Sequence, residues 1–445
     1  MSLQEFGYQE QLKRALSTTD LIIYGMILML PIAPYAVFGF VWDAAKGMVP
    51  LAYLVGLAGM FFTALSYAAM SRAFPLAGSV YTYAQRGLHE VAGFFSGWLI
   101  LLDYILVPSL LYLFSAAALR PVFPAVPAWI WLAGFISFNA VANLLGIEFT
   151  ARINRYMLIM ELSTLGLFVI IGLVALYGGA GAGGLTLKPI YDPRVFSWST
   201  VARATSIAVL SFLGFDGIST LSEESSGSQN AVGRATVLSL LLVGALFILQ
   251  TWVATDLARG MHFASADTAF YEVAQRAGGE WLRLVTILAI VIAQAIANAM
   301  AAQAAVSRVL FAMARDGKLP KILAKVHPRY QTPYVSTLAV SAVGLAVGLF
   351  FAERMDDLTR VVNFGALSGF VLLHLSVVNH YFLRRRSGDW LRHAVFPLTG
   401  LAIIVYILYE MDRTAKILGA CWVGAGVLYY LVMTLRSRKP LTVEI

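Results

Sequence analysis

Three carboxylates lie where a carboxylate is costly. Asp103, Glu161 and Asp216 each sit inside a long apolar run of this 445-residue chain. On membrane-insertion scales a charge at the centre of an apolar helix costs about 2.5–3.5 kcal/mol. A carboxylate that persists there binds a cation, carries a proton, or accepts hydrogen bonds that hold backbone together. No Lys or Arg is expected at comparable depth, since Arg203 and Arg283 fall near the ends of their runs. Surplus negative charge in a cavity attracts cations and repels anions.

Each acid has two readings. Asp216 lies in Leu213-Gly214-Phe215-Asp216-Gly217-Ile218, where unwound carbonyls and a carboxylate could converge on an ammonium group. Phe212 and Phe215 beside it could add cation–π contact of about 0.5–2 kcal/mol; alternatively, Asp216 only ties the local backbone together. Asp103 follows Trp98 in an apolar helix, and its neighbour Tyr104 projects about 100° away from it. A structural pairing of Asp103 competes with amine contact. Glu161 opens the run Glu161-Leu162-Ser163-Thr164-Leu165-Gly166-Leu167-Phe168. Burial disfavours the charged form of a carboxyl, so protonation there could gate a step; a structural hydrogen bond or a pore-edge position is the alternative.

The elements that carry these residues follow from composition. Of the residues, 59% are hydrophobic and 13% charged, with a mean hydropathy of +0.76. That is about half the charge of a soluble domain, and twelve apolar stretches approach the roughly 20 residues a membrane-crossing helix needs. A soluble enzyme, a disordered chain and a β-barrel are excluded, which leaves an all-α polytopic membrane protein. The net charge of +8 reflects basic loops, not nucleic-acid binding, because most of the 32 Lys and Arg fall on one side when both termini are placed in the cytoplasm. Cys421 is the single cysteine, so no intrachain disulfide forms. The polar first 19 residues carry no cleavable signal pattern.

Spans 1 (20–40) and 6 (199–222) have helix-breaking centres: Gly25-Met26-Ile27-Leu28-Met29-Leu30-Pro31-Ile32-Ala33-Pro34 and the Asp216 segment. Pro removes a donor and Gly weakens a helix. Matching breaks five spans apart point to a midplane site between inverted repeats; ordinary kinks are the bland reading. Residues 178–198, opening Gly-Gly-Ala-Gly-Ala-Gly-Gly, read as a flexible external loop, and 256–280 as a loop with a short helix around 268–277. Gln294, Asn298 and Gln303 share roughly one face of span 8, to line a cavity or to cross-link helices. Tyr24 and Tyr35 flank the first break, as cavity residues or interfacial anchors. Glu223 and Glu224 cap the inner end of span 6 or pair with loop arginines as a gate. His374 and His380 have no partner set for a metal, and no metal, cofactor or catalytic group is expected.

The residues also carry a resemblance. Phe74-Pro75-Leu76-Ala77-Gly78-Ser79-Val80-Tyr81-Thr82-Tyr83 is similar to the segment after helix 2 of the amino acid–polyamine–organocation transporter family. Ser307-Arg308-Val309-Leu310-Phe311-Ala312-Met313-Ala314-Arg315-Asp316-Gly317-Lys318-Leu319-Pro320 resembles its segment at the inner end of helix 8. Leu101-Leu102-Asp103-Tyr104, Gly214 to Glu224, and Asn363-Phe364-Gly365-Ala366-Leu367 resemble bacterial putrescine importers within it.

The resemblance implies twelve helices in a five-plus-five inverted repeat (LeuT-like) with discontinuous helices 1 and 6. The divisions are a cytoplasmic segment 1–19, a first repeat 20–177, an external loop 178–198, a second repeat 199–383, helices 11 and 12 over 384–435, and a cytoplasmic tail 436–445. It also makes Tyr104 a substrate contact. It places Glu161 where some proton-coupled relatives carry a titratable lysine. The chain departs from the family at Met29-Leu30-Pro31-Ile32-Ala33-Pro34, where amino acid carriers have a Gly-rich turn whose amides hold the substrate carboxylate. This favours an amine without one.

The leading reading is an importer of a small organic cation, putrescine or a related polyamine, by proton symport across the bacterial inner membrane, as a monomer or homodimer. Asp216, Asp103 and Tyr104 would bind the amine with Phe215, Phe212 and Tyr24. Met29, Gly214, Gly217 and Asn298 would complete the site, Glu161 would carry the proton, and Glu223 and Glu224 would gate. Two carboxylates offset the desolvation of two ammonium groups better than one. An amino acid permease or exchanger is the alternative, and a membrane-embedded enzyme or nutrient sensor the remote one.

Overall fold

The computed structural model describes residues 9, 11–119, 123–228, 230–352, 355–411 and 413–436. The predicted tail (436–445) therefore lies, after Arg436, outside the described residues, as do residues 1–8 of the N-terminal segment. Among those described the chain is all-helical, with no strand beyond an isolated bridge between Leu16 and Ser225.

Span 1 is a broken helix, Thr18–Met29 and Pro34–Ala45, bent by 51°. Spans 2, 3 and 5 are Val49–Ala73, Glu90–Leu119 and Ile147–Tyr177. Span 6 begins as Trp198–Ala208, tightens into the 3-10 turn Val209–Phe212, and resumes after Gly214 as the 3-10 segment Phe215–Glu224. Span 7 is Ala231–Leu257. Span 8 runs as Glu280–Ile292 and Ala299–Arg315 around a π segment, Ala293–Asn298. Spans 10, 11 and 12 are Met355–Val377, Phe396–Glu410 and Arg413–Arg436. Ten of these are long and apolar enough to cross a membrane, counting the bent pair as one and spans 10 and 11 together with the π turns that adjoin them, as Val362–Arg384 and Leu391–Glu410. The fourth and ninth stretches form apolar helices of 17 residues, Ala128–Leu144 and Tyr334–Phe350. At 1.5 Å per residue these reach about 26 Å, a little short of a hydrocarbon core of about 30 Å.

The break in span 1 differs in cause from the sequence expectation. Gly25 is interior to the first half-helix, where an added Cβ would meet Ile218 at 2.3 Å, so it is a packing residue. Span 1 turns instead at Leu30, which is held at φ 56°, a left-handed conformation costing an L-residue about 1–2 kcal/mol. Pro34 opens the second half-helix at a position whose N–H needs no partner. In span 6 the turn is Gly214 at φ 112°, and a Cβ there would lie 2.5 Å from the Leu28 carbonyl oxygen. The two breaks thus touch backbone to backbone.

Two expectations are corrected. The loop 178–198 is anchored, not flexible. Asp256, fully buried at the end of span 7, accepts the Thr186 N–H and hydroxyl, each at 2.7 Å. Arg259 pairs with Asp256 at 3.3 Å, and the Trp252 indole donates to the Thr186 carbonyl. The short helix expected around 268–277 forms at Ala269–Gly278. And a buried cation does exist in the spans: Arg308, 3% exposed, with its charge met by Glu224.

Gly214→Ala is expected to destabilise the protein, by about 1–3 kcal/mol from backbone conformation alone and further through the Leu28 contact. Gly134→Ala, where nothing lies within 4 Å of the added Cβ, should leave stability unchanged or raise it. Thermal unfolding of both variants in detergent checks this; equal midpoints would contradict it.

Candidate functional site

A backbone break inside hydrocarbon leaves polar groups that protein or trapped water must satisfy. Here side chains from other spans meet them. Asn298, in the π segment of span 8, donates to the Leu28 carbonyl at 3.2 Å, and Gln250 of span 7 donates to the Pro31 carbonyl at 2.8 Å. Leu30 and Ala33 use their N–H groups inside the turn, bonding Ile27 and Leu30 carbonyls at 3.2 and 2.7 Å. Pro31 and Pro34 have no N–H.

Beside the paired breaks lies a cavity of about 110 Å³, several times the roughly 30 Å³ that one water occupies in the liquid. Its walls are mainly apolar, from Leu110 and Phe114 of span 3 to Leu210 of span 6. The polar groups that converge on it are Asp103, Tyr104, Ser211, Gln294 and Asn298, and no Lys, Arg or His among the described residues lines it. A mostly apolar pocket with a few placed polar groups is the usual form of a small-molecule site.

Of the sequence-predicted residues, Asp103, Tyr104, Met29, Gly214, Gly217 and Asn298 all line this cavity. Asp103 is 2% exposed, and its Oδ1 has no hydrogen-bond partner among the described residues. Asp216 is fully buried one layer behind the wall. It accepts a hydrogen bond from the Tyr104 hydroxyl and one from the Gly214 N–H at 3.3 Å. Tyr104 therefore bridges the cavity and the second carboxylate.

Four candidates are placed elsewhere. Phe212 packs on Tyr53 and Phe247, and Phe215 packs on Tyr67 and Phe370, so neither ring is among the cavity walls. Tyr24 shares a hydrogen bond with Thr150 of span 5. Tyr35, at the other end of the break, stacks on Phe270 at 4.0 Å.

Glu161 faces inward from span 5, fully buried, and neither of its oxygens has a partner among the described residues. Asn154, on the same buried face seven residues earlier, is likewise unpartnered at its amide.

Glu223 and Glu224 are held in ion pairs on the side of the chain where the N-terminal segment packs. Arg308 grips Glu224 through two guanidinium nitrogens, Nη2 at 2.7 Å. Arg315 grips Glu223 with two more bonds, at 3.0 and 2.9 Å. The Glu224 carbonyl accepts the N–H groups of Ala15 and Leu16, both at 3.0 Å, and Ala77 donates to the Glu223 carboxylate at 3.0 Å. The arginines come from span 8, not from loops. Sequence reasoning missed them because an arginine at the end of an apolar run looks like an interfacial anchor; the Arg308/Arg315 spacing of seven, which puts both on one helix face, was the available signal. Gln303 proves to be a cross-link, accepting from Asn143 at 2.8 Å and donating to Ser341 at 2.7 Å. His374 bonds Thr63 and Ser66. No group of three His, Cys, Asp or Glu that could hold a metal occurs among the described residues.

Residues 16–433 match the family model described as amino acid permease. A low-affinity putrescine importer of Escherichia coli K12 is 30% identical over 97% of this chain and 96% of its own length. A branched-chain amino acid permease of Bacillus subtilis is 26% identical, over 97% and 95% of the two chains. A methylthioribose transporter of the same organism is 24% identical, again over 97% and 95%.

Removing one partner of a buried ion pair leaves an uncompensated charge, a loss of about 3–5 kcal/mol. Arg308→Met should therefore lower the unfolding midpoint sharply, and adding Glu224→Gln should recover most of the loss. A double variant no more stable than Arg308→Met would show that the pair is not what holds these two residues.

Proposed function

We propose that this chain, which belongs to the amino acid permease family, is a transporter that imports a small diamine, putrescine or a close homologue, together with protons. The carrying observation is the pair of carboxylates at the breaks. Asp103 lines the cavity and keeps an oxygen without a hydrogen bond, Asp216 stands behind Tyr104, and no basic side chain among the described residues lines the space. One ammonium group would meet Asp103. The other would draw on Asp216 through Tyr104, and the methylene chain would lie along the apolar wall. The family membership and the resemblance to a putrescine importer point the same way. The helix 1 turn adds support, since its prolines and self-bonded amides leave little to hold an α-carboxylate.

In this reading residues 20–177 and 199–383 are the two repeats, rocking against each other around the breaks. Both termini are cytoplasmic in an inner membrane, and the Glu223 and Glu224 pairs close the inner side. Glu161 takes up and releases the coupling proton. A branched-chain amino acid permease is the second reading, favoured by the apolar cavity wall and by the relative of that name.

Proteoliposomes test both. Labelled putrescine should accumulate only with an inwardly directed proton gradient. Asp216→Asn should abolish uptake, and Glu161→Gln should retain exchange while losing accumulation. Uptake of leucine with putrescine ignored would overturn the diamine reading.

A further inference from the structure

We propose that a groove on the N-terminal-segment side, between spans 2, 7 and the 10–11 connection, is a binding site for one anionic phospholipid. The groove encloses about 1070 Å³, far more than the central cavity, and touches none of its residues. Its two long walls are helical stripes. Span 2 contributes positions 65, 68, 69, 72 and 73, and span 7 contributes 230, 233, 234, 237 and 238. Both follow the i, i+3, i+4, i+7, i+8 pattern that places residues on one helix face. The stripes converge where Gly233 meets Ala68, with an added Cβ only 2.9 Å from the Ala68 Cα.

Along each stripe polarity changes with depth. Towards the membrane interior the walls are Leu65, Val237 and Leu238, the last 46% exposed. At the outer end Arg72 closes span 2 and Arg234 opens span 7, and Arg385 and Arg392 reach in from the connection. One acid, Asp389, offsets them, and it lies 3.5 Å from Arg392. Four guanidinium groups above an apolar slot match a molecule with a phosphate head and an acyl chain. Basic pockets between helices at the membrane face recognise anionic headgroups in this way, each basic residue near the surface contributing about 1 kcal/mol. Side-chain contacts hold the connection in place. His393 stacks on Tyr381 at 4.3 Å and bonds Ser387, and the Tyr381 hydroxyl donates to the Ala69 carbonyl at 2.9 Å.

Free phosphate shares the headgroup chemistry but not the chain, so the test separates them. The full-length protein is extracted from vesicles of equal phosphatidylglycerol and phosphatidylcholine, and retained lipid is counted by native mass spectrometry. One phosphatidylglycerol per chain should resist detergent washing and survive 10 mM-scale inorganic phosphate. In Arg234→Gln/Arg392→Gln its retention should weaken by about 30-fold, the effect of two such charges, while Arg329→Gln, on a different loop, retains it. Equal retention of phosphatidylcholine by the unaltered protein would overturn the proposal without recourse to variants. So would displacement by phosphate alone, or undiminished retention in the double variant.

Discussion

The structure depends on one constraint: backbone broken inside hydrocarbon must find partners within the protein. Spans 1 and 6 meet it by breaking against each other. Gly214 comes so close to the Leu28 carbonyl that no side chain fits between them. That same carbonyl accepts the Asn298 amide, and the Pro31 carbonyl accepts Gln250. Spans 7 and 8 are thereby tied to the break in span 1. The π segment of span 8 brings Gln294 and Asn298 to the cavity with no kinking proline; insertions of this kind in helices often mark functional sites.

The charges fall into two layers around this junction. On the side of the N-terminal segment, acids and guanidinium groups are matched: Glu224 with Arg308 and Glu223 with Arg315. Around the breaks the acids have no cationic partner, and Asp103 and Glu161 keep oxygens with no hydrogen bond among the described residues. A buried pair is close to neutral in net stability, yet costly to open by halves. The backbone bonds of Ala15 and Leu16 to Glu224 tie the N-terminal segment to the same pairs. The unmatched acids leave room for a cation or a proton to complete the charge balance.

Much of this was legible in the sequence because a bilayer allows few solutions. Apolar runs of sufficient length gave the spans, and six of the ten expected contact residues, Asp103 among them, line the cavity. What was not legible depends on rotation about helix axes and on partners distant in sequence. Phe212 and Phe215 lie just before Asp216 in the chain, yet the tight 3-10 turns direct their rings to Tyr53 and Tyr67. The glycine-rich look of residues 178–184 suggested mobility, and a single distant carboxylate, Asp256, pins the loop that follows. Gly25 was read as a breaker because composition alone does not distinguish a weak helix position from a close-packed one.

The central claim is that two carboxylates recognise two ammonium groups. Its most direct test is equilibrium binding to the purified protein of putrescine against 1-aminobutane, which has the same carbon chain and one amine. The account predicts that putrescine binds at least about tenfold more tightly, a difference of roughly 1.4 kcal/mol, and that Asp103→Asn erases the advantage while leaving 1-aminobutane unaffected. Equal affinity for the two amines in the unaltered protein would contradict it.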